Sequence, residues 1–173
     1  MEYSVKARRI DAHGSMAKTK DAEILMDTGV QGRADALNPA ELFLASIAAC
    51  MIKGIERVTP MLKFHFDAVE VRLHAVRQDS PPQMQSVDYE ILIDTDETDH
   101  RLELLHTNVR KFGTISNTVA KAARLSGVLR RMPSQGASEK SEHEAEIARI
   151  AAESLRELDN IPAPGTDVLH EGP

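Results

Sequence analysis

The segment that most constrains this chain is Leu42 to Ile52, a run of apolar residues broken only by Ser46. Asn38-Pro39 opens it. An Asn side chain accepts from the unpaired N–H groups of a helix start, and Pro at the first helical position gives up no bond. The spacing predicts a helix over NPAELFLASIAACMIKGIERV. Its apolar run falls well short of the roughly 18 residues that span a bilayer, so it reads as a buried helix, with no membrane as partner. A helix apolar on every side has to be covered all round, by a sheet and another helix or by a second subunit. Ala45, Ser46, Ala48 and Ala49 are small enough for another helix backbone to come close, which predicts helix pairing through this segment.

On the N-terminal side, Tyr3, Val5 and Ala7 alternate with polar residues in the period of a half-buried strand. His13-Gly14-Ser15 reads as a turn, Ala22 to Asp27 as a short strand, and Thr28 to Leu37 as a loop. Beyond Pro60 the period becomes two. Val69, Val71, Leu73 and Ala75, then Val87, Tyr89, Ile91 and Ile93, mark an antiparallel strand pair around Pro81-Pro82. Leu102, Leu105, Val109 and Phe112 recur at helical spacing between Thr98 or Asp99 and Gly113. Thr114 to Asn117 then reads as the cap of a helix over Thr118 to Leu125, with Ser126-Gly127 ending it before a short Val128-Leu129 strand.

These elements make an α+β domain over residues 1–132. Residues 133–173 change character. PSQGASEKSE has the composition of a linker, and a charged amphipathic helix is expected at about 139–158, opened by Ser141 with Glu144. The last stretch, IPAPGTDVLHEGP, has no periodicity and reads as a mobile tail.

Charge and motifs remove several classes of function. The formal charge is −6 over 173 residues, and Lys and Arg are scattered, which argues against nucleic acid as a partner. One cysteine cannot form an internal disulfide, and MEYSVKARRIDAHG lacks an apolar signal stretch, so a cytoplasmic location is expected. His13, His65, His74, His100 and His106 show no HxxxH or HExxH spacing, and no metal is expected. GxSxG, Walker and GxGxxG patterns are missing, which leaves no cofactor to expect.

Cys50 is the one chemically distinctive residue. A thiolate is the reactive form; apolar burial opposes it, while a nearby cation or a helix N-terminus favours it. Cys50 sits mid-helix, so it is either a small buried hydrophobe or a nucleophile supported by charge from elsewhere. Glu41 precedes it by nine residues, roughly 13 Å along the axis and half a turn out of phase. It reaches a thiol only across an antiparallel helix pair, as in a two-fold dimer, or else it serves the positive end of its own helix. Arg33, in the preceding loop, is a thiolate-stabilising cation or an ordinary loop charge.

NPAELFLASIAACMIKGI, followed by the strand pair, a helix and KFGTISNTVAKA, resembles the OsmC/Ohr family of osmotically inducible and organic hydroperoxide resistance proteins. The resemblance covers roughly residues 1–132. It implies an intertwined α+β homodimer in which antiparallel sheets pack on central apolar helices. Active members reduce organic hydroperoxides: the helix Cys becomes a sulfenic acid and a second Cys resolves it. Cys50 matches the peroxidatic position, and Cys50, Glu41 and Arg33 are the candidate catalytic residues. The chain departs from the family pattern at three places. Gly113-Thr114-Ile115 replaces Cys-Pro-Val, Ala40 stands at the family glutamate with Glu41 beside it, and Lys18, Lys20 or Arg33 stands in for the activating arginine. The resemblance therefore implies a one-Cys thiol-dependent peroxidase acting on a small hydrophobic peroxide, with an external thiol as reductant. The alternatives are a non-catalytic protein holding a hydrophobic small molecule in the dimer cleft, or an interaction module using the C-terminal helix.

Overall fold

The computed structural model describes residues 1–133, which hold the whole of the first of the chain's two units, Met1–Met132. The helix expected at about 139–158 and the tail after it lie outside the described residues. Nine elements follow in order: β1 (Lys6–Arg9), β2 (Gly14–Thr19), β3 (Ala22–Asp27), α1 (Pro39–Leu62), β4 (Ala68–Gln78), β5 (Gln83–Asp94), α2 (Asp99–Phe112), α3 (Thr114–Val119) and β6 (Arg124–Arg131).

The helix start expected at Asn38-Pro39 is where α1 begins. Asn38 Oδ1 accepts from the N–H groups of Ala40 (2.9 Å) and Glu41 (3.0 Å), while Asn38 N donates to Glu41 Oε2 at 2.8 Å. Two carbonyl-less donors of the first turn are thus satisfied, and the Glu41 carboxylate closes the box in return. The helix runs through Pro60, past the point where the sequence pattern changes. Pro60 lies in the last turn, where its missing N–H costs one bond, and Lys63 then ends the helix in the left-handed region (φ 48°).

One side of α1 makes the core. Ile47, Met51, Ile55 and Val58 recur at four, four and three residues and are buried against Val87, Tyr89, Ile91 and Ile93 of β5 and Leu102, Leu105 and Val109 of α2. Burying an Ile of this kind stabilises the fold by about 1.5–3 kcal/mol. Gly54 lets α2 come close: a Cβ there would stand 3.3 Å from Val109 Cγ1. Among the described residues the opposite side of α1 is uncovered, and Ala45, Ser46 and Ala49 there are exposed. The covering that the all-round apolar pattern demands is therefore only half supplied by the described residues.

Among the described residues there are two three-stranded sheets, in the orders β1-β2-β3 and β4-β5-β6, and the second packs on α1. The expected antiparallel pair of β4 and β5 is present, with Val71 opposite Ile91 and Leu73 opposite Tyr89. Three expectations are corrected. His13-Gly14-Ser15 is not the turn: the chain reverses over Ile10–His13, where Asp11 Oδ1 accepts from His13 N (2.7 Å) and Gly14 N (3.0 Å), and Gly14 and Ser15 already belong to β2. The first strand begins at Lys6, so Tyr3 and Val5 lie outside it and exposed. The helix after Gly113 is Thr114–Val119, not Thr118 to Leu125. Leu125 belongs to β6, an eight-residue strand pairing parallel to β5. Gly127 permits that pairing, because a Cβ there would stand 2.5 Å from the Tyr89 ring.

Candidate functional site

Cys50 lies one residue before Met51 on α1, turned about 100° away from the core stripe. It is half-buried and free, and among the described residues its sulfur takes part in no hydrogen bond. Ala49, Ser46 and Lys53 beside it on the helix are exposed. The thiol therefore sits at the border between the core side and the uncovered side of α1.

Within the protomer, neither of the other two candidate residues is brought to that sulfur. The Glu41 carboxylate accepts from Asn38 N in the capping box. Arg33 forks onto Asp35, with Nε donating to Oδ1 at 2.6 Å and Nη2 to Oδ2 at 2.8 Å, while its backbone N donates to Asp27 Oδ2 at 3.2 Å. The Asp35 bond, with the Asp11 and Asp27 charges, holds this guanidinium even more firmly protonated than usual, and Arg33 in turn holds the Asp35 carboxyl low. Its Nη1 lies over Gly14, where a Cβ would stand 2.8 Å away. Lys18 pairs with Glu23 across β2 and β3, and Lys20 turns the chain between those strands at φ 52°.

The junction that carries Cys-Pro-Val in the family pattern is tight. Gly113 is buried between α2 and α3, and a Cβ there would meet Ser116 Oγ at 3.1 Å and Val109 O at 3.4 Å. Its carbonyl accepts from Asn117 N at 2.9 Å, the first turn of α3.

A polar pair that the periodicity did not single out sits behind this corner. The Tyr89 hydroxyl and His106 Nε2 are 2.8 Å apart, with the rings edge to face at 5.8 Å. Burial holds the imidazole below its ordinary value and the phenol above its own; the nearby Arg110 charge adds to the first shift and opposes the second. The signal was available. His106 is four residues after Leu102, on the buried stripe, and Tyr89 alternates with Val87 and Ile91 on the inner face of β5. Among the described residues no group of His, Cys, Asp and Glu is placed to hold a metal, and no helix is long and apolar enough to cross a membrane.

Comparison with known proteins gives the fold a lineage. Solved structures similar to this chain include an OsmC-like protein from Mycoplasma pneumoniae, with TM-score 0.70, 14% identity, and 77% of this chain and 99% of that one covered. The organic hydroperoxide resistance protein OhrB of Bacillus subtilis is similar with TM-score 0.58, 17% identity and coverage of 75% and 98%. An organic hydroperoxide resistance protein OsmC from Legionella pneumophila is similar with TM-score 0.58, 20% identity and coverage of 73% and 96%. At such identities the likeness is one of fold. No protein of curated function matches the sequence. The sequence pattern of the family described as OsmC-like protein matches residues 32–126, more than half of the chain and the stretch that runs from the Arg33 loop through α1 to the middle of β6; the chain belongs to the OsmC family.

Proposed function

We propose that this chain is a cytoplasmic, homodimeric one-Cys thiol peroxidase, in which Cys50 reduces a small hydrophobic organic hydroperoxide and an external thiol completes the cycle. The observation that supports this most is the position of Cys50: the chain's single thiol lies on the border of the uncovered side of α1, not on the core stripe. Pairing of that side with the same side of a second copy, through Ala45, Ser46 and Ala49, would seat both thiols along a two-fold seam.

In the cycle, the Cys50 thiolate attacks one peroxide oxygen, an S–O bond forms and the O–O bond breaks. The leaving alkoxide takes up a proton as an alcohol, and the sulfur becomes a sulfenic acid. A first external thiol attacks that sulfur, releasing water and leaving a mixed disulfide. A second external thiol displaces Cys50, so that one hydroperoxide and two thiols give one alcohol, one water and one disulfide. In this reading Glu41 and Arg33 are positioning residues of their own protomer: the first fixes the start of α1, the second the loop leading into it.

A second reading has its own support. No cation or hydrogen-bond donor touches the sulfur among the described residues, as a binding protein that kept the fold and lost the chemistry would have it. Stopped-flow reaction of the full chain with cumene hydroperoxide, with dimedone trapping of the sulfenic acid by mass spectrometry, separates the two. The peroxidase reading expects reaction well above that of a free thiol and complete loss in Cys50→Ser. A rate equal to or below a free thiol's removes it and leaves the binding reading.

A further inference from the structure

A cavity of about 310 Å³ opens where α2 turns into α3 over the β4-β5-β6 sheet. Met51, Ile91, Val109 and Leu125 give it an apolar floor, and Arg110 and Lys111 stand at its wall. The volume is at the small end of the roughly 300–1,000 Å³ of ligand pockets, which suits a small molecule and not a peptide. Cys50 is not among the residues that line it, although Met51, the next residue on α1, is.

The two cations decide the chemistry. Every ion pair among the described residues uses other basic groups; neither Arg110 nor Lys111 meets a carboxylate within ion-pair distance there. Arg110 lines the cavity beside Tyr89, and its charge also acts on the Tyr89–His106 pair. Asn117 Nδ2 donates to the Lys111 carbonyl at 3.2 Å, tying the rim of α2 to α3. The Tyr89 hydroxyl is engaged by His106 and does not need the ligand.

We propose that this cavity binds a small organic carboxylate, its compact apolar body on the Met51–Leu125 floor and its anionic head against Arg110 and Lys111. A bare inorganic anion gains nothing from the floor, and a neutral hydrocarbon nothing from the cations; an amphipathic acid uses both. The competing account is that Arg110 and Lys111 only complement the negative end of α2, where cations are favoured whatever lies beside them.

The probe is octanoate, with octanol as its neutral match and inorganic phosphate as the bare anion, titrated into the full chain by calorimetry and by backbone amide NMR. The proposal expects saturable octanoate binding with shifts at residues of α2, α3 and β6, octanol weaker by about tenfold or more, and no phosphate binding. That ratio is what one charge-assisted contact supplies. Arg110→Gln with Lys111→Gln should weaken octanoate by a similar factor. Ala120→Phe, from an exposed position on the lining, should block it without entering the core. Equal binding of octanoate and octanol, an unchanged affinity in the Gln variant, or no octanoate binding to the folded wild type overturns the proposal. Cys50→Ser should bind octanoate as the wild type does, so failure of the peroxidase reading and failure of this one are read separately.

Discussion

Substitution of Glu41 distinguishes a carboxylate that holds a helix end from one that works on a thiol. Among the described residues its side chain makes one bond, accepting from Asn38 N at 2.8 Å, and the return bond from Glu41 N to Asn38 Oδ1 depends on Asn38 alone. Glu41→Ala removes the first and leaves an exposed N–H that water can satisfy. A hydrogen bond of this kind is worth about 0.5–1.5 kcal/mol net, and an anion in the first turn adds about 0.3–1 kcal/mol. Because the site is exposed, the lower part of both ranges applies, and the expected loss is about 1 kcal/mol, or roughly 2–4 °C in Tm for a chain of this length. Glu41→Gln keeps an acceptor at the same place and loses only the charge, so it should cost less than half as much. Asn38→Ala should cost about 1 kcal/mol, and Asn38→Ala with Glu41→Ala less than the sum, because both residues belong to one box. Urea unfolding gives the stabilities, and the pH dependence of Cys50 alkylation by iodoacetamide reports on the thiol. The capping account expects that profile to be the same in Glu41→Gln and wild type. A shifted alkylation midpoint with unchanged stability would refute it and return Glu41 to the thiol.

Two further substitutions test the frame around α1. Arg101 on α2 donates through Nη2 to the carbonyls of Leu62 (3.0 Å) and Lys63 (2.8 Å), closing the C-terminal end of α1, and lies 5.8 Å from the Phe64 ring. Arg101→Lys keeps the charge without the fork, so thermal unfolding should show most of the roughly 2 kcal/mol loss expected for Arg101→Met; a Lys variant as stable as wild type would contradict that geometry. His106 gives a pH signature. Its folded-state pKa lies below the ordinary value, so the unfolded chain binds the proton more readily. The stability is fully present above about pH 6.5, falls as the pH drops through that value toward the lower folded one, and then levels. His106→Gln should flatten the urea-unfolding stability across that window, and an unchanged slope would mean that the imidazole is not held neutral by its surroundings.

The long elements were legible because their periods were unambiguous. Asn38-Pro39 marked the start of α1, the alternation of Val69 to Ala75 and Val87 to Ile93 marked β4 and β5, and Leu102, Leu105 and Val109 marked α2. Where reading failed, a local signal was outweighed by pairing. Gly14-Ser15 looks like a turn on its own, yet Asp11 makes the turn from three residues earlier, and β3 draws Gly14 to Thr19 into a strand. Leu125 has the composition of a helix end, yet the parallel edge of β5 takes it into β6, which no local pattern announces. The candidate residues themselves were legible as chemistry but not as contacts. Nothing in the spacing of Arg33 said that Asp35, two residues on, would claim its fork.

The α2–α3 junction decides whether a second thiol could ever be housed where the family pattern carries one. The Gly113 backbone, at φ −76°, is open to any residue, so the obstacle there is steric and not conformational. A Cβ meets Ser116 Oγ at 3.1 Å and Ser116 Cβ at 3.2 Å, and Ser116 is itself buried and cannot swing out freely. Gly113→Cys should therefore cost about 1–3 kcal/mol by overpacking. Adding Ser116→Ala removes the closer of the two side-chain contacts and should recover part of that loss, while Gly113→Cys alone should leave Cys50 reduced under mild oxidant. Urea unfolding and non-reducing mass spectrometry of the two variants and the wild type check this. A Gly113→Cys variant as stable as wild type that closes a disulfide to Cys50 would show the corner to be looser than its contacts allow. The chain would then be one substitution away from resolving its own sulfenic acid.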